Sequence, residues 1–334
     1  MYANVQSLQT TSAVEIARLL VHANQCYRAS NDPHSTPAQR ASARDDARRL
    51  LAQVTAAEPR NGAALNLLGR LAMDCNALDE AHALFLQSLD AEPNNAQTHT
   101  NLGYWALLTG NAHAAEDHFT AALQHDTRSA AAFCGIAHAK REQGEYAVAW
   151  LHYRQLLDLG HTWPSVFDGM VRCAEFLTVE QANPALATDV LRLLAQDGLP
   201  YHKLGRLATG LLHAQYDLSN PDAPITLNEA ADDNLLILAL QKTLLTDPDV
   251  EDLVTLLRTG ILEEVAHTGS LRDELQPLAL AIGHYGERTG YALLASEEEV
   301  AWIASLNSAI LEHLKAHASP EDLAGAIIVS AMYG

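Results

Sequence analysis

Residues 62–95 read GAALNLLGRLAMDCNALDEAHALFLQSLDAEPNN, and this stretch decides the fold. Its apolar and small residues recur at three- and four-residue spacing, which predicts two amphipathic helices. Asn76 lies between the two runs, at a turn position that favours a residue tolerant of the left-handed backbone. The same pattern returns over 96–129 and 130–163, so the chain carries an internal repeat of 34 residues.

Three positions of the repeat explain how such units would pack. Small residues at positions 8 and 20 let the two helices of a unit approach closely, and a bulky residue at position 24 fills the gap to the next unit. In order along the three units, these residues are Gly69, Gly103 and Ala137, then Ala81, Ala115 and Ala149, then Phe85, Phe119 and Tyr153. Gly110 and Gly144 occupy the turn position of Asn76. Because one unit cannot bury its apolar face alone, we expect neighbouring units to stack.

The third unit departs from the pattern at two places. Lys140 stands where the first two units have Ala72 and Ala106, and His161 replaces the closing Pro93. We therefore expect the third unit to pack more loosely than the others.

The pattern resembles the tetratricopeptide repeat (TPR), and this resemblance implies an α-solenoid. Degenerate units extend it on both sides: upstream, a helix over 12–29 and a lengthened loop over 31–37, and downstream, helices from Pro164 to about residue 195. The predicted fold is all-α, an α-solenoid of TPR helix pairs over 1–218 followed by a second helical domain over 219–334. The boundary is placed at the turn-forming stretch 219–224.

The net charge of the chain argues against some classes of partner. The chain of 334 residues has 21 Lys and Arg against 41 Asp and Glu, a net charge of −20. Residues 1–60 carry +2, whereas residues 220–334 carry −14. An acidic chain repels a phosphate backbone, so we expect no nucleic-acid partner. The uneven distribution predicts that an acidic peptide would meet the N-terminal half and a basic partner the C-terminal half.

The chain has neither an apolar run of about 18 residues nor an uninterrupted apolar leader, because Glu15 and Arg18 break the first apolar stretch. We therefore expect no membrane partner and a cytoplasmic location. Four widely spaced cysteines form no Cys-x-x-Cys pair, which favours reduced thiols over a zinc site or disulfide framework.

Helical spacing continues through the second half of the chain. Helix starts are predicted at Thr246 to Pro248, at Ser319 with Pro320, and at Ser296. Glu297, Glu298 and Glu299 after Ser296 are interpreted as favourable charges at a helix N-terminus, with a cation site as the alternative.

The segments 235–245, 253–262 and 278–299 resemble the helical region that follows TPR units in large bacterial proteins similar to SAM-dependent methyltransferases. The resemblance, over about 231–334, implies the substrate-recognition half of such an enzyme. No strand, glycine-rich loop and helix for SAM follow here, so SAM would require a catalytic domain beyond Gly334. The apolar helix at 324–334 predicts either a chain cut before another domain or a buried docking helix.

No catalytic motif, nucleotide-binding loop or His-Glu-x-x-His metal motif occurs, so we predict no catalytic, metal or cofactor residue and leave enzymatic activity open. The 16 histidines spread along the chain without an evident cluster, although His313 and His317 could share a helix face.

The TPR resemblance does imply a binding surface, because the first helix of each TPR unit lines the concave face. The predicted partner-binding residues are Asn66, Arg70, Asp74, Gln97, Thr100, Asn101, Tyr104, His138 and Arg141. Asn101 occupies a position where asparagine in similar proteins bonds an extended peptide, but Leu67 and Gly135 in the neighbouring units prevent an asparagine ladder. The Lys/Asn/Arg clamp of carboxylate-binding relatives is also missing.

The sequence thus favours a scaffold that binds a protein or peptide, with residues 220–334 docking a catalytic domain or a second subunit. Two alternatives stay open. The first is an enzyme or metal-binding protein that uses acidic residues of the second domain, namely Glu263, Glu264, Asp273, Glu274 and Glu287. The second is an adaptor that assembles through its last helix, 320–334.

Overall fold

The computed structural model describes residues 2–220, 222–315 and 323–334, with side chains from residue 13 onward. These residues form helices and no strand, which confirms the all-α prediction. The predicted start at Ser319 and Pro320, and the side chain of His317, lie outside the described residues. The chain divides into two compact units between His161 and Thr162.

The N-terminal unit consists of four helix pairs in chain order, and each pair packs on the next to form the α-solenoid. The helices are α1 (Tyr2–Ser30), α2 (Pro37–Ala57), α3 (Gly62–Asp74), α4 (Leu78–Ala91), α5 (Ala96–Leu108), α6 (Ala112–His125), α7 (Ala130–Glu142) and α8 (Tyr146–Asp158). The degenerate unit predicted upstream is therefore a true helix pair, α1 with α2, joined by a loop over 31–36.

Local sequence sets the helix ends within these pairs. Asn61 and Asn95 cap α3 and α5, each side chain accepting a hydrogen bond of 3.0 Å from the backbone N–H three residues on. The turns inside the three best repeats contain Asn76, Gly110 and Gly144 at φ values of 59°, 78° and 83°. This left-handed conformation confirms the predicted role of the turn position.

Phe119 shows why the repeat alternates small and bulky residues. Its ring is fully buried, and a Cβ built on Gly103 would lie 2.5 Å from it. A Cβ on Gly135, in the following pair, would lie 2.3 Å from the same ring. Phe119 is thus wedged against the backbones of α5 and α7, as the repeat pattern predicts.

The expectation that the third unit packs more loosely than the others stays a prediction, but its Lys140 is not left without partners. Lys140 Nζ lies 2.9 Å from a carboxylate oxygen of Glu116 on α6 and 3.1 Å from one of Glu145, so ion pairs replace the apolar contact. These hydrogen bonds raise the pKa of Lys140 above its ordinary value. His161 stands at the position of the closing proline. Here α8 ends without a proline, because Gly160 at φ 85° forms a left-handed turn.

The C-terminal unit contains nine α-helices in the described ranges. They are α9 (Pro164–Ala174), α10 (Pro184–Ala195), α11 (Gly205–Gln215), α12 (Leu227–Asp232), α13 (Asn234–Lys242), α14 (Pro248–Thr268), α15 (Gln276–Thr289), α16 (Glu297–Lys315) and α17 (Ala324–Ala331). Short 3-10 turns precede α11 and α15.

This unit begins at residue 162, whereas the sequence placed the domain boundary at 219. The difference arises because α10 and α11 pack against α13, and α11 also packs against α14. Gly205 shows how close the contact is, since a Cβ there would lie 2.5 Å from the Leu244 carbonyl oxygen. The predicted boundary stretch at 219–224 therefore falls within the second unit.

The last described segment is docked. Val329 and Met332 are buried, and α17 packs on α14, α15 and α16. Ser296 caps α16 as predicted, accepting a hydrogen bond of 3.1 Å from the Glu299 N–H. Glu299 does more than complement the helix end, because its carboxylate is buried 3.3 Å from Arg258 and accepts a hydrogen bond of 2.6 Å from the Tyr333 hydroxyl.

Candidate protein-interaction surface

The nine predicted binding residues all lie on α3, α5 and α7, the first helices of the last three pairs in the N-terminal unit. These helices are neighbours, since α3 packs on α5 and α5 packs on α7. The structure therefore brings the set onto adjacent helices, but it does not expose every member.

Three of the nine are internal. Asn66, Thr100 and Asn101 are only 7%, 2% and 4% exposed. Asn101 donates a hydrogen bond of 2.7 Å from Nδ2 to Oδ1 of Asn66, which joins α5 to α3. Thr100 donates to the Ala96 carbonyl at 2.8 Å. Asn66 and Asn101 thus hold two helices together, Thr100 bonds within its own helix, and the amide of Asn101 is already engaged within the fold.

The first exposed part of the surface combines charges of both signs. The Arg70 guanidinium carbon lies 4.3 Å from the centre of the Tyr27 ring, a cation–π contact between α3 and α1. The neighbouring Asp74 carboxylate is exposed and accepts a hydrogen bond of 3.3 Å from Asn31. Burial raises the pKa of Tyr27, so the ring faces Arg70 in its neutral form at neutral pH.

The middle of the surface is formed by Gln97 and Tyr104 on α5. Gln97 is exposed. Tyr104 is partly buried, with its ring edge-on to Phe119 and its hydroxyl donating to the Ala131 carbonyl at 3.1 Å. Burial raises the pKa of Tyr104 well above its ordinary value, so this hydroxyl remains a donor.

His138 and Arg141 form the third part, on α7. A ring nitrogen of His138 lies 2.6 Å from the Tyr153 hydroxyl, and the other lies 3.4 Å from the Cys134 sulfur. Arg141 forms an ion pair of 2.5 Å with Glu142. Of the nine predicted residues, those not buried in the stack are Arg70, Asp74, Gln97, Tyr104, His138 and Arg141.

Four histidines interact with one another, although the sequence shows no evident cluster. His99 on α5 lies 6.0 Å from His118 and 5.8 Å from His125, both on α6, measured between ring centres. His82 on α4 stacks on Trp105 at 4.1 Å. Burial, followed by a neighbouring histidine, lowers the pKa of His99 and of His118. Part of this group could have been found in the sequence, because His118 and His125 are seven residues apart and therefore share one face of α6.

The acidic residues suggested for a metal site form no group of three donors among the described residues. Glu264 instead pairs with Arg272 at 2.7 Å, and Asp273 accepts from Gln276 at 2.8 Å. His213, Asp247 and Asp249 do bring three potential ligand atoms within 4.8 Å of one another. All three groups already have protein partners, since His213 lies 2.8 Å from Asp249 and Asp247 caps α14.

Within the described ranges, no helix combines the length and apolar character needed to cross a bilayer.

Comparison with known proteins agrees with the repeat. A family model described as a tetratricopeptide repeat matches residues 38–100, which cover α2, α3, α4 and the first turn of α5. This match identifies tetratricopeptide repeat sequence within the N-terminal α-solenoid. No curated protein matches the sequence.

Two solved structures are similar to parts of the chain. The first is PilW, a widely conserved type IV pilus biogenesis factor, with 13% identity, a TM-score of 0.42, and coverage of 77% of this chain and 97% of that one. The second is a mutant of the Thermobaculum terrenum O-GlcNAc transferase, with 19% identity and a TM-score of 0.36. That match covers 79% of this chain and 47% of the transferase chain.

Proposed function

We propose that the N-terminal unit is a protein-binding scaffold that contacts a partner through the outward-facing side chains of α3, α5 and α7. Tetratricopeptide repeat proteins generally bind protein partners, and residues 38–100 carry this repeat. The observation that supports the surface most directly is the juxtaposition of three neighbouring helices that display Arg70, Gln97 and Arg141.

The burial of Asn66 and Asn101 limits the kinds of side chain through which this surface would contact a partner. Because Asn66 and Asn101 bond each other inside the stack, recognition would depend on charged and aromatic side chains. Arg70 carries a planar guanidinium that can donate two hydrogen bonds to a carboxylate, and Arg141 would do so in exchange for its pairing with Glu142. Tyr104 supplies a rigid aromatic edge between them, a residue type enriched among binding hot spots.

Photo-cross-linking tests the surface without disturbing the fold. A cross-linking amino acid at exposed Gln97 on α5 should capture a partner, whereas the same group at exposed Gln87 on α4 should not. The captured partner is then purified, and its affinity is measured for Arg70→Gln and Arg141→Gln. We expect each change to weaken binding by about tenfold, a typical contribution of a binding hot spot. Equal capture at both positions, or unchanged affinity in both variants, would reject this surface.

The finer expectations stay predictions. They are docking of a catalytic domain or second subunit through 220–334, a methyltransferase partner with SAM, a bacterial source and a cytoplasmic location. The assembling adaptor also stays a prediction, and part of its helix, 320–322, lies outside the described residues.

A further inference from the structure

We propose that three arginines on α2, Arg40, Arg44 and Arg48, bind an acidic peptide segment of a partner protein. We call these residues the arginine stripe. It lies on the second helix of the first pair, so it is a surface additional to the one on α3, α5 and α7. The ligand class is a peptide that carries carboxylate side chains.

The spacing of the stripe places its members on one face of α2. Residues at i, i+4 and i+8 line up along an α-helix, with neighbours about 6 Å apart at a rise of 1.5 Å per residue. Arg40 and Arg44 continue the line of the buried residues Ala47 and Leu51 toward the start of the helix. Their half-buried stems therefore border the core, and the packing restricts where their guanidinium groups can point.

Two of the three charges of the stripe have no carboxylate partner within the described part of the chain. There, neither Arg40 nor Arg44 forms an ion pair with a carboxylate, and the Nε atoms of both are buried without a hydrogen-bond partner. The nearest acceptor is the Cys75 sulfur, 3.8 Å from Arg44 and 3.0 Å from Arg48. A chain with 41 acidic residues thus leaves these cations without an internal carboxylate, apart from Asp45 at 3.7 Å from Arg48.

The interface between α6 and α7 shows which residues occupy the same repeat positions elsewhere in the N-terminal unit. Arg48 and Cys75 occupy the repeat positions that Glu116 and Gln143 occupy between α6 and α7. There, Glu116 accepts a hydrogen bond of 2.8 Å from Gln143 and pairs with Lys140 at 2.9 Å. Between α2 and α3 an arginine replaces that carboxylate. The same repeat position therefore carries a positive charge whose carboxylate contact in the described residues is the exposed Asp45 at 3.7 Å, so an external anion could still bind there.

The spacing also indicates the form of the ligand. Alternate side chains of an extended strand lie about 6.6 Å apart on one face, close to the rise of about 6 Å between successive arginines of the stripe. An extended peptide with Asp or Glu at alternate positions could thus place a carboxylate at each arginine, and guanidinium–carboxylate pairing adds direction to the attraction. The +2 charge of residues 1–60, in a chain of −20, favours the approach of such a peptide to this end.

Fluorescence anisotropy with the full chain tests the proposal. The probe is a labelled peptide of alternating Glu and Ala, about ten residues long so that it spans the stripe, and its Gln and Ala counterpart is the matched control. We expect the Glu peptide alone to bind, more weakly as salt rises from about 20 to 150 mM. Binding of both peptides alike, or of neither at low salt, would overturn the proposal.

Variants localise the binding. The double change Arg40→Gln and Arg44→Gln should weaken binding of the Glu peptide by about tenfold or more, the loss in affinity expected for two charge-assisted contacts. Arg49→Gln should retain wild-type affinity, because Arg49 lies on the same helix but pairs with Asp46 at 2.6 Å. Equal affinity in the double variant and Arg49→Gln would reject the stripe. If the double variant does not fold, as judged by circular dichroism, Arg48→Gln alone supplies the same comparison, since Arg48 is exposed.

Two further measurements distinguish peptide binding at the stripe from binding elsewhere and from self-association. The partner captured at Gln97 should bind the Arg40→Gln and Arg44→Gln double variant like the wild type, so the stripe and the surface on α3, α5 and α7 can fail independently. Light scattering should give the same mass for the wild type and the double variant. A wild-type dimer that the double change dissociates would show that the stripe binds a second copy of the chain, and would overturn a peptide partner.

Discussion

At the scale of single residues, the stacking of the N-terminal unit depends on contacts that leave no space for an added methyl group. Phe119 is fully buried against the backbone at Gly103 and Gly135. Phe85 is buried in the same way against Gly69, where a Cβ would lie 2.5 Å from the ring. The side chain at position 24 thus fixes the distance between helices, because close-packed interiors transmit small changes in volume.

Replacing Gly135 by alanine should therefore destabilise the protein. The new Cβ would lie 2.3 Å from the Phe119 ring, and overpacking of this kind costs about 1–3 kcal/mol in the free energy of unfolding. Urea denaturation followed by circular dichroism measures the change. Gly260→Ala is the matched control, because its Cβ would lie 3.4 Å from Leu227 in ordinary contact and alanine favours helix. A Gly135→Ala variant as stable as the wild type would contradict the close packing of Phe119 against the backbone of α7.

The histidine group makes stability depend on pH. His99 and His118 have folded-state pKa values below the ordinary value of 6.5, chiefly because of burial. As pH falls below 6.5, the unfolded chain takes up protons before the folded one, so the free energy of unfolding decreases. Urea titrations between about pH 7.5 and 5.5, on the neutral side of ordinary carboxylate titration, should show this loss. A double variant with both histidines replaced by Gln should show a shallower dependence, and an unchanged slope would count against it.

At the scale of the helices, α17 is held by a polar cluster beneath its end. Arg258 and Glu299 are only 3% and 2% exposed, and Tyr333 donates to Glu299 while its ring stacks on Arg258 at 4.4 Å. Hydrogen bonds, with the hydroxyl of Tyr333 first among them, hold the pKa of Glu299 below its ordinary value against the opposing effect of burial. The buried pair is thus compensated by partners from α14, α16 and the segment after α17.

Tyr333→Phe should loosen this segment. It removes a hydrogen bond of 2.6 Å to a buried carboxylate, a contact worth roughly 1.5–3 kcal/mol. Hydrogen exchange should become faster over 324–334, and the stability of the second unit should fall by a similar amount. Tyr291→Phe is the control, because its hydroxyl makes only a 3.5 Å exposed contact with Ala331 and its loss should cost less than about 0.5 kcal/mol. Equal exchange in the two variants would refute the role of Tyr333.

At the scale of the whole molecule, the helices of the two units pack in different ways. The first is a stack in which sequence neighbours are also spatial neighbours, so its contacts are local. In the second, α10 packs on α13 and α11 packs on α14, across the stretch 219–224. Tyr216 and Gln215 both donate at 2.9 Å to Asp233 across the same stretch.

Fragments test where the boundary lies. A fragment of residues 162–334 should unfold cooperatively in urea, because it retains all helices of the second compact unit. A fragment of residues 219–334 should lose cooperativity and bind a hydrophobic dye, because Leu236 and Leu240 on α13 would lose the cover of α10 and α11. Equal cooperativity in the two fragments would instead support the boundary predicted from sequence.

Local rules of the sequence account for much of the solenoid. Helix spacing, the left-handed turn at Asn76, Gly110 and Gly144, and the pairing of small with bulky residues all follow from residues a few positions apart. The candidate surface could be assigned to the correct helices for the same reason. Its exposed members could not be separated from Asn66, Thr100 and Asn101, because burial depends on how far a neighbouring helix covers each position.

By itself, the sequence determined the all-α class, the register of the repeat, the acidic character of the C-terminal third and the residue types on each helix. These properties depend on periodicity and composition, which are written along the chain. Only the tertiary structure decided the unit boundary at residue 162, the gathering of His82, His99, His118 and His125, and the burial of Arg258 with Glu299 beneath Tyr333. It also showed that Arg40 and Arg44 lack a carboxylate in the described residues, because charge compensation depends on groups brought together by packing.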